Sequence, residues 1–312
     1  MSKLYSIGEL LIDFQSVGTG SLKETKEFVK NAGGAPANVC VQAVKFGKDA
    51  VYLTKVGNDG FGDFLIDSLK NEGVDVSFIS KSNEYDTSLA FVSFKEDGER
   101  EFSFYRKMAA DLHFTKEDFK DVAFTKNDIL EFGSVALKTE VSRQTHNDLI
   151  ERAKAAHALI AFDPNLRLNL WENHEELKSI VKQYISCADI IKIGLDELEF
   201  ITGKSEESAV KEILHKDLKV LLVTYGSHGA RLYLQNGKSY YNPGYRVQAV
   251  DTTGAGDSFF GAFLAEVLDG GLSACDYEKA LDIACRCGAY TTTGYGAIPA
   301  MGTKEKVVKE IK

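Results

Sequence analysis

From Ile129 onward the chain alternates short apolar runs with stretches of helical length, and few folds accommodate that rhythm. The runs that read as strands are Ile129–Phe132, Leu159–Asp163, Ile190–Ile193, Val220–Thr224 and Ala230–Gln235. Helices are expected near 141–156, 175–186, 206–215, 257–269 and 276–292. Near-continuous apolar strands separated by helices build a mostly parallel sheet with helices on both faces, an α/β architecture. The N-terminal part fits the same plan. Tyr5 to Asp13 reads as a buried first strand with Asp13 at its carboxyl end. A helix follows over 36–47, opened by Pro36 and closed by Gly47, then a strand at Val51–Val56 and a helix over 60–72 ending at Gly73. With 312 residues, 44% hydrophobic content, four prolines and no repeat or low-complexity linker, residues 1–312 are expected to share one large core.

One segment breaks the rhythm. Leu89–Phe94 and Arg100–Tyr105 are strand-like runs joined by Lys95-Glu96-Asp97-Gly98-Glu99, which carries the Asp-Gly hairpin signal. On the first run Leu89 and Phe91 oppose Ala90, Val92 and Phe94, so both faces are apolar and both need cover. The reading is a small β lid, built from about 14–30 and 86–107, inserted into the α/β body. One lid face would close over a site and the other would meet a second copy, giving a homodimer.

Charge and cysteine usage narrow the partners. A formal net charge of −9 argues against nucleic acid and anionic membranes, while leaving room for locally built phosphate sites. No apolar run reaches membrane-spanning length, and Met1-Ser2-Lys3-Leu4-Tyr5-Ser6 does not read as a signal peptide. Cys40, Cys187, Cys275, Cys285 and Cys287 lack any C-x-x-C spacing and fit reduced thiols of a cytoplasmic protein. Gly237-Lys238-Ser239 imitates the end of a P-loop, but Leu232 stands where the required glycine would be. No dinucleotide fingerprint follows the first strand, and no G-x-S-x-G or H-E-x-x-H occurs.

The chemistry concentrates at Asp251-Thr252-Thr253-Gly254-Ala255-Gly256-Asp257. Gly254 and Gly256 let backbone N–H groups turn inward as an anion nest, and the following helix adds its positive end. A carboxylate there repels the anion it faces, which points to phosphoryl transfer with Asp257 as the base. A helix cap by Asp257 is the competing reading. Asn31-Ala32-Gly33-Gly34-Ala35-Pro36-Ala37-Asn38 is either a polyol site or a tight turn before a helix. Asp13 lies where open α/β sheets bind ligands, or simply starts a turn. Arg106, in Tyr105-Arg106-Lys107, would set a cation over the site or remain solvated. Arg167, ending Asp163-Pro164-Asn165-Leu166-Arg167, would grip a phosphate or sugar oxygen, or lie on the surface. The loop Thr224-Tyr225-Gly226-Ser227-His228-Gly229 has the small residues of a nucleotide-touching turn, or of an ordinary β-turn.

In that order, these pieces resemble the ribokinase (PfkB) family of carbohydrate kinases over nearly the whole chain. The resemblance rests on Gly33-Gly34-Ala35-Pro36-Ala37-Asn38 and on Asp251 to Asp257. Details similar to fructokinases are Phe104-Tyr105-Arg106 with Ala109-Ala110-Asp111-Leu112, Asp163 to Arg167 with Leu170-Trp171, and Gly294-Tyr295-Gly296-Ala297-Ile298-Pro299-Ala300. The resemblance implies a ribokinase-like fold and ATP-dependent phosphorylation of a primary hydroxyl, foremost the 6-hydroxyl of D-fructose. Asp257 would be the base, and the amides of Gly254, Ala255, Gly256 and Asp257 the anion hole. Asp13, Gly33, Gly34, Asn38, Arg106 and Arg167 match substrate positions, while Thr224, Gly226, Ser227 and Gly229 match the nucleotide loop. Glu197 matches the Mg²⁺ carboxylate; Asp251, Thr253, Thr291, Gly294 and Gly296 match a K⁺ site. Gly194 stands where many members have Asn, and Cys285 where some have His. A 2-keto-3-deoxygluconate, aminoimidazole riboside or nucleoside kinase fits the same motifs. A non-catalytic sugar-binding protein is the rival of another class, against which an intact Asp257 weighs.

Overall fold

The computed structural model describes residues 2–94 and 100–312, so the expected Asp-Gly turn of the lid hairpin lies outside the described residues. The chain opens with β1 (Lys3–Ile7), β2 (Leu11–Thr19), β3 (Phe28–Gly33), α1 (Ala35–Lys45), β4 (Asp49–Gly57), α2 (Gly60–Asn71) and β5 (Asp75–Ser82). The hairpin strands β6 (Ser88–Phe94) and β7 (Arg100–Tyr105) follow. Then come β8 (Ile129–Gly133), α3 (Glu140–Ala155), β9 (Leu159–Asp163), α4 (His174–Ile185), β10 (Ile190–Gly194), α5 (Leu195–Thr202) and α6 (Glu206–Ile213). The remainder is β11 (Val220–Thr224), β12 (Ala230–Leu234), β13 (Ser239–Asn242), α7 (Ala255–Leu268), α8 (Tyr277–Thr291) and α9 (Lys304–Glu310).

The expected α/β body is present. Nine strands form one sheet in the order β13-β12-β11-β10-β9-β8-β1-β4-β5, and only β12 and β13 run antiparallel to their neighbours. Strand β11 shows why the sheet needs helices on both sides. Val220 and Leu222 pack into a core with α1, α2, α7 and α8, while Leu221 and Val223 pack into another with α3 to α6. The chain winds outward from β1 in both directions, so the β1/β8 boundary is a switch point. Ligands of such sheets bind beyond the carboxyl ends of the strands there.

A second sheet, β3-β2-β6-β7, is separate from the first. It corrects the reading of Tyr5 to Asp13 as one strand. The chain leaves the large sheet at Gly8, where a Cβ would lie 2.6 Å from Pro36 Cγ, and resumes as β2 in the small sheet. Asp13 therefore stands opposite Asn31 of β3, not at the end of a strand of the main sheet. The break is invisible in hydropathy because Leu10, Leu11 and Ile12 stay buried across it. Helix α7 begins at Ala255, two residues before the expected 257, which changes the position of Asp257 within it. The sequence reading did not separate out β5, a partly exposed strand, or the short helix α9, while the acidic helix start at Asp196-Glu197 is the first turn of α5.

Candidate active site

Four parallel strands end on the same edge, β8 at Gly133, β9 at Asp163, β10 at Gly194 and β11 at Thr224. Helix α7 starts over this edge. Its N-cap is Gly254, at φ +77, and no side chain caps it. A Cβ on Gly254 would lie 2.6 Å from the Cβ of Ala297. Glycine is therefore required both for the left-handed turn and for the close packing. Asp257 is the third helical residue, so it does not cap the helix. Its Oδ2 instead accepts a 2.8 Å hydrogen bond from Asn38 Nδ2 on α1. The Ala255 amide turns back to the Thr252 carbonyl at 3.4 Å, and the first-turn amides lack intrahelical acceptors, so the helix start offers an anion-holding position beside a carboxylate.

Below that position lies a row of polar side chains that hydropathy conceals. Strand periodicity puts Ser6 of β1, Glu131 of β8, Asp163 of β9 and Lys192 of β10 on the α1/α7 face, in phase with the buried Leu4, Ile129, Ala161 and Ile190. Lys192 Nζ donates to Asp163 Oδ2 at 2.8 Å, with the two side chains 8% and 3% exposed. Burial pulls the Lys192 ammonium down, but Asp163, Glu197 and Asp257 together push its pKa above the ordinary value. Burial raises Asp163, with Lys192 working against that. Burial also holds Glu131 well above the usual carboxylate range. Sequence reasoning named Asp163 only as part of a turn and missed Glu131 and Lys192. The available signal was a single charge inside each of two otherwise apolar runs, Ile129-Leu130-Glu131-Phe132 and Ile190-Ile191-Lys192-Ile193.

The Gly33-Gly34 turn joins the small sheet to α1. A Cβ on Gly33 would lie 2.1 Å from Asp13 Oδ2, and one on Gly34, at φ +126, would lie 2.2 Å from the carbonyl oxygen of Glu9. Both glycines are thus fixed by the approach of Asp13 and of the Gly8–Leu10 link. Burial raises Asp13 to about 7; Arg167 opposes this, and Asp257 and Asp251 add to it. Glu9 accepts from the Ala35 amide at 3.0 Å through Oε1 and is likewise raised to about 7 by burial.

The two arginines of the sequence reading differ. Arg106 is buried and committed internally, donating to Asp111 Oδ2 at 2.9 Å and to Ser88 Oγ at 3.0 Å. Arg167 is exposed, donates to its neighbour's Leu166 carbonyl, and acts on Asp13 and Asp163 through its charge. Glu197 sits in the first turn of α5 and accepts from the amides of Gly194 at 2.8 Å and Leu166 at 2.5 Å. A side chain on Gly194 would meet Asp196 Oδ1 at 2.7 Å, so the place of the missing Asn is filled by carboxylate.

Asp251 is buried. Its Oδ1 accepts from the Thr253 amide and hydroxyl at 2.9 and 2.6 Å, and its Oδ2 from the Gly296 amide at 3.0 Å. Gly294 bonds back to the Thr291 carbonyl, closing the same loop. Asp251, Thr253, Thr291, Gly294 and Gly296 are thus brought together. After Thr224 the chain turns through Gly226 (φ +59), Ser227 and Gly229, where a Cβ would strike the Asn242 carbonyl at 1.9 Å. Among the described residues no group of three or more His, Cys, Asp or Glu side chains converges as a metal site, and no helix is long and apolar enough to cross a membrane.

Comparison with known protein families matches residues 1–304 to the pfkB family carbohydrate kinases. The chain belongs to that family. Fructokinase-2 of Solanum habrochaites is 40% identical to this kinase over 315 residues, covering 99% of this chain and 96% of the relative. A solved fructokinase double mutant from Vibrio cholerae O395, in a form bound to fructose, ADP and potassium ion, superposes with a TM-score of 0.90. It is 30% identical and covers 100% and 99% of the two chains. An uncharacterized sugar kinase from Pyrococcus horikoshii in complex with ATP has a TM-score of 0.86 at 36% identity, covering 98% and 97%. The pfkB kinase is therefore a phosphotransferase with an alcohol acceptor, on a ribokinase-like fold with a small second sheet.

Proposed function

We propose that this kinase is an ATP-dependent fructokinase that moves the γ-phosphoryl group to the 6-hydroxyl of D-fructose. The observation that carries the reading is Asp257, held by Asn38 on the open first turn of α7 rather than spent as a cap. In this reading Asp257 takes the proton of the attacking hydroxyl, and the amides of Gly254, Ala255, Gly256 and Asp257 steady the transferring group. Asp13 and Asn38 bind sugar hydroxyls over the close backbone of Gly33 and Gly34, with Arg167 beside them. Arg106 acts from behind, since Asp111 and Ser88 hold its head. Thr224, Gly226, Ser227 and Gly229 line the nucleotide.

The donor sets fit two cations. Asp13, Asp163, Glu197, Asp251 and Asp257 outnumber Lys192 and Arg167, so a polyphosphate needs a divalent ion to enter. Glu197 would hold Mg²⁺ together with phosphate oxygens, as this metal prefers. When bound, Mg²⁺ supplies charge neutralisation of the phosphates. The Asp251 carboxylate, Thr253 and the carbonyls near Thr291, Gly294 and Gly296 offer the hard oxygens K⁺ takes.

The small sheet would act as a lid, and its exposed Val17, Val29, Phe102 and Tyr105 support a homodimer formed through it. Reduced cysteines and ATP use support a cytoplasmic setting. The test is coupled ADP release with fructose, ribose, 2-keto-3-deoxygluconate, aminoimidazole riboside and nucleosides, with and without K⁺. The highest kcat/KM is expected for fructose; sugar binding without turnover of any acceptor would support a binding protein instead.

A further inference from the structure

We infer that Lys192 is a phosphate-facing cation fixed beneath the anion hole, with Asp163 as its positioning residue. This rests on the reading of the α7 turn as the phosphoryl-transfer site. Three observations carry it. Lys192 leaves the apolar interior of β10 on the α1/α7 face, in phase with Ile190, and so points at the start of α7. A Cβ on Gly256 would lie 3.0 Å from Lys192 Nζ, which places the ammonium directly against the backbone of the proposed anion hole. Asp163 holds that ammonium by one 2.8 Å hydrogen bond, while its Oδ1 is buried and has no hydrogen-bond partner. An ammonium has three N–H donors, and the Asp163 bond takes one.

Stability alone does not account for this pair. A buried lysine–aspartate pair gives back in attraction little more than it loses in desolvation, and apolar replacements often match it. Here the pair also leaves a carboxylate oxygen unsatisfied, which adds to the cost. Its position supplies the missing reason. Asp163, Glu197 and Asp257 all act on Lys192. Without it, Asp163, Glu197 and Asp257 would be opposed only by the exposed Arg167 where an anion must arrive. A preorganised cation on that floor acts when charge moves onto the phosphoryl oxygens, and it requires no reorganisation to do so. Gly256 gains a second role as well: any side chain there would displace the ammonium.

The test compares wild type, Lys192→Met, and the pair Lys192→Met with Asp163→Asn, in which no buried charge is stranded. Each is read for kcat, the KM of fructose, and calorimetric affinity for ADP alone and for ADP with aluminium fluoride, Mg²⁺ and fructose. In Lys192→Met kcat should fall roughly 100-fold, the scale of losing one preorganised donor. Affinity for the aluminium fluoride complex should fall in parallel, while ADP affinity and sugar KM stay within about threefold, as for an interaction made in the transition state. If Lys192→Met does not fold, the double variant carries the same expectation. Retention of both kcat and aluminium fluoride affinity within threefold overturns the inference. So does a loss of kcat with unchanged analogue affinity, the mark of a structural role. Wild type that neither turns over nor tightens on the analogue refutes the underlying reading, whatever Lys192 does.

Discussion

The two ends of the candidate site are built differently. The phosphoryl end rests on the large sheet, with Asp163 and Lys192 locked as a buried pair beneath the start of α7. The sugar end hangs from the small sheet, where Asp13 lies opposite Asn31 and the neighbouring Gly33 yields space to its carboxylate. Asn38 joins them, through its hydrogen bond to Asp257. The difference teaches which properties each end can set. In the proposed assignment, buried and preorganised charge would govern the rate, whereas a carboxylate on a thin second sheet would govern which acceptor is held and at what pH.

The largest expected effect breaks the rate end alone. Asp257→Asn should lower kcat by roughly two to four orders of magnitude, the scale of a general base, with fructose affinity largely intact. Near-normal kcat in that variant would remove Asp257 as the base. Gly254→Ala should come next, because it puts a Cβ at φ +77 and 2.6 Å from Ala297. A distorted anion hole should cost about 10- to 100-fold in kcat, and the strain should lower Tm as well.

Asp13→Asn should do the opposite. Fructose KM should rise roughly tenfold to a hundredfold, as for lost hydrogen bonds to a charged group, with a smaller change in kcat. Burial raises Asp13 to about 7. Sugar hydroxyls donate to the ionised form, so fructose KM should climb as pH falls below that value, and the limb should vanish in Asp13→Asn. A pH-independent KM in wild type would contradict it.

The smallest effect on activity is expected far from both ends. His146 on α3 is buried among Phe114, Phe132 and Tyr184, and burial lowers it to about 4. A depressed histidine contributes stability that is present above its unfolded value, about 6.5, and lost as pH falls toward 4. The loss amounts to about 3 kcal/mol on full protonation. Denaturant midpoints between pH 7 and pH 4 should show it, and His146→Gln should flatten the curve without altering kcat.

The large sheet was legible where its parallel strands are almost wholly apolar on both faces, whereas the partly exposed edge strand β5 escaped. Gly254 was legible because the turn demands glycine, and Asp257 and Asn38 because each is a polar residue at the start of a helix that follows a glycine turn. The small sheet was half legible: its hairpin stood out, but its first strand merged with β1, since a chain can change sheets at Gly8 without changing hydropathy. Lys192 and Glu131 were missed because a charge within an apolar run says nothing until neighbouring strands are set in register. Arg106 matched a substrate position, yet Asp111, only five residues on, claims its guanidinium.

The separation of the two sheets has an evolutionary meaning. Among the described residues no strand of the small sheet bonds to the large one, so in the proposed assignment Asp13 and its neighbours would form an exchangeable module beside a separately built transfer site. Under the proposed assignment, β2, β3 and the hairpin could be redrawn for a different acceptor without disturbing the register that holds Asp163 and Lys192 beneath Asp257.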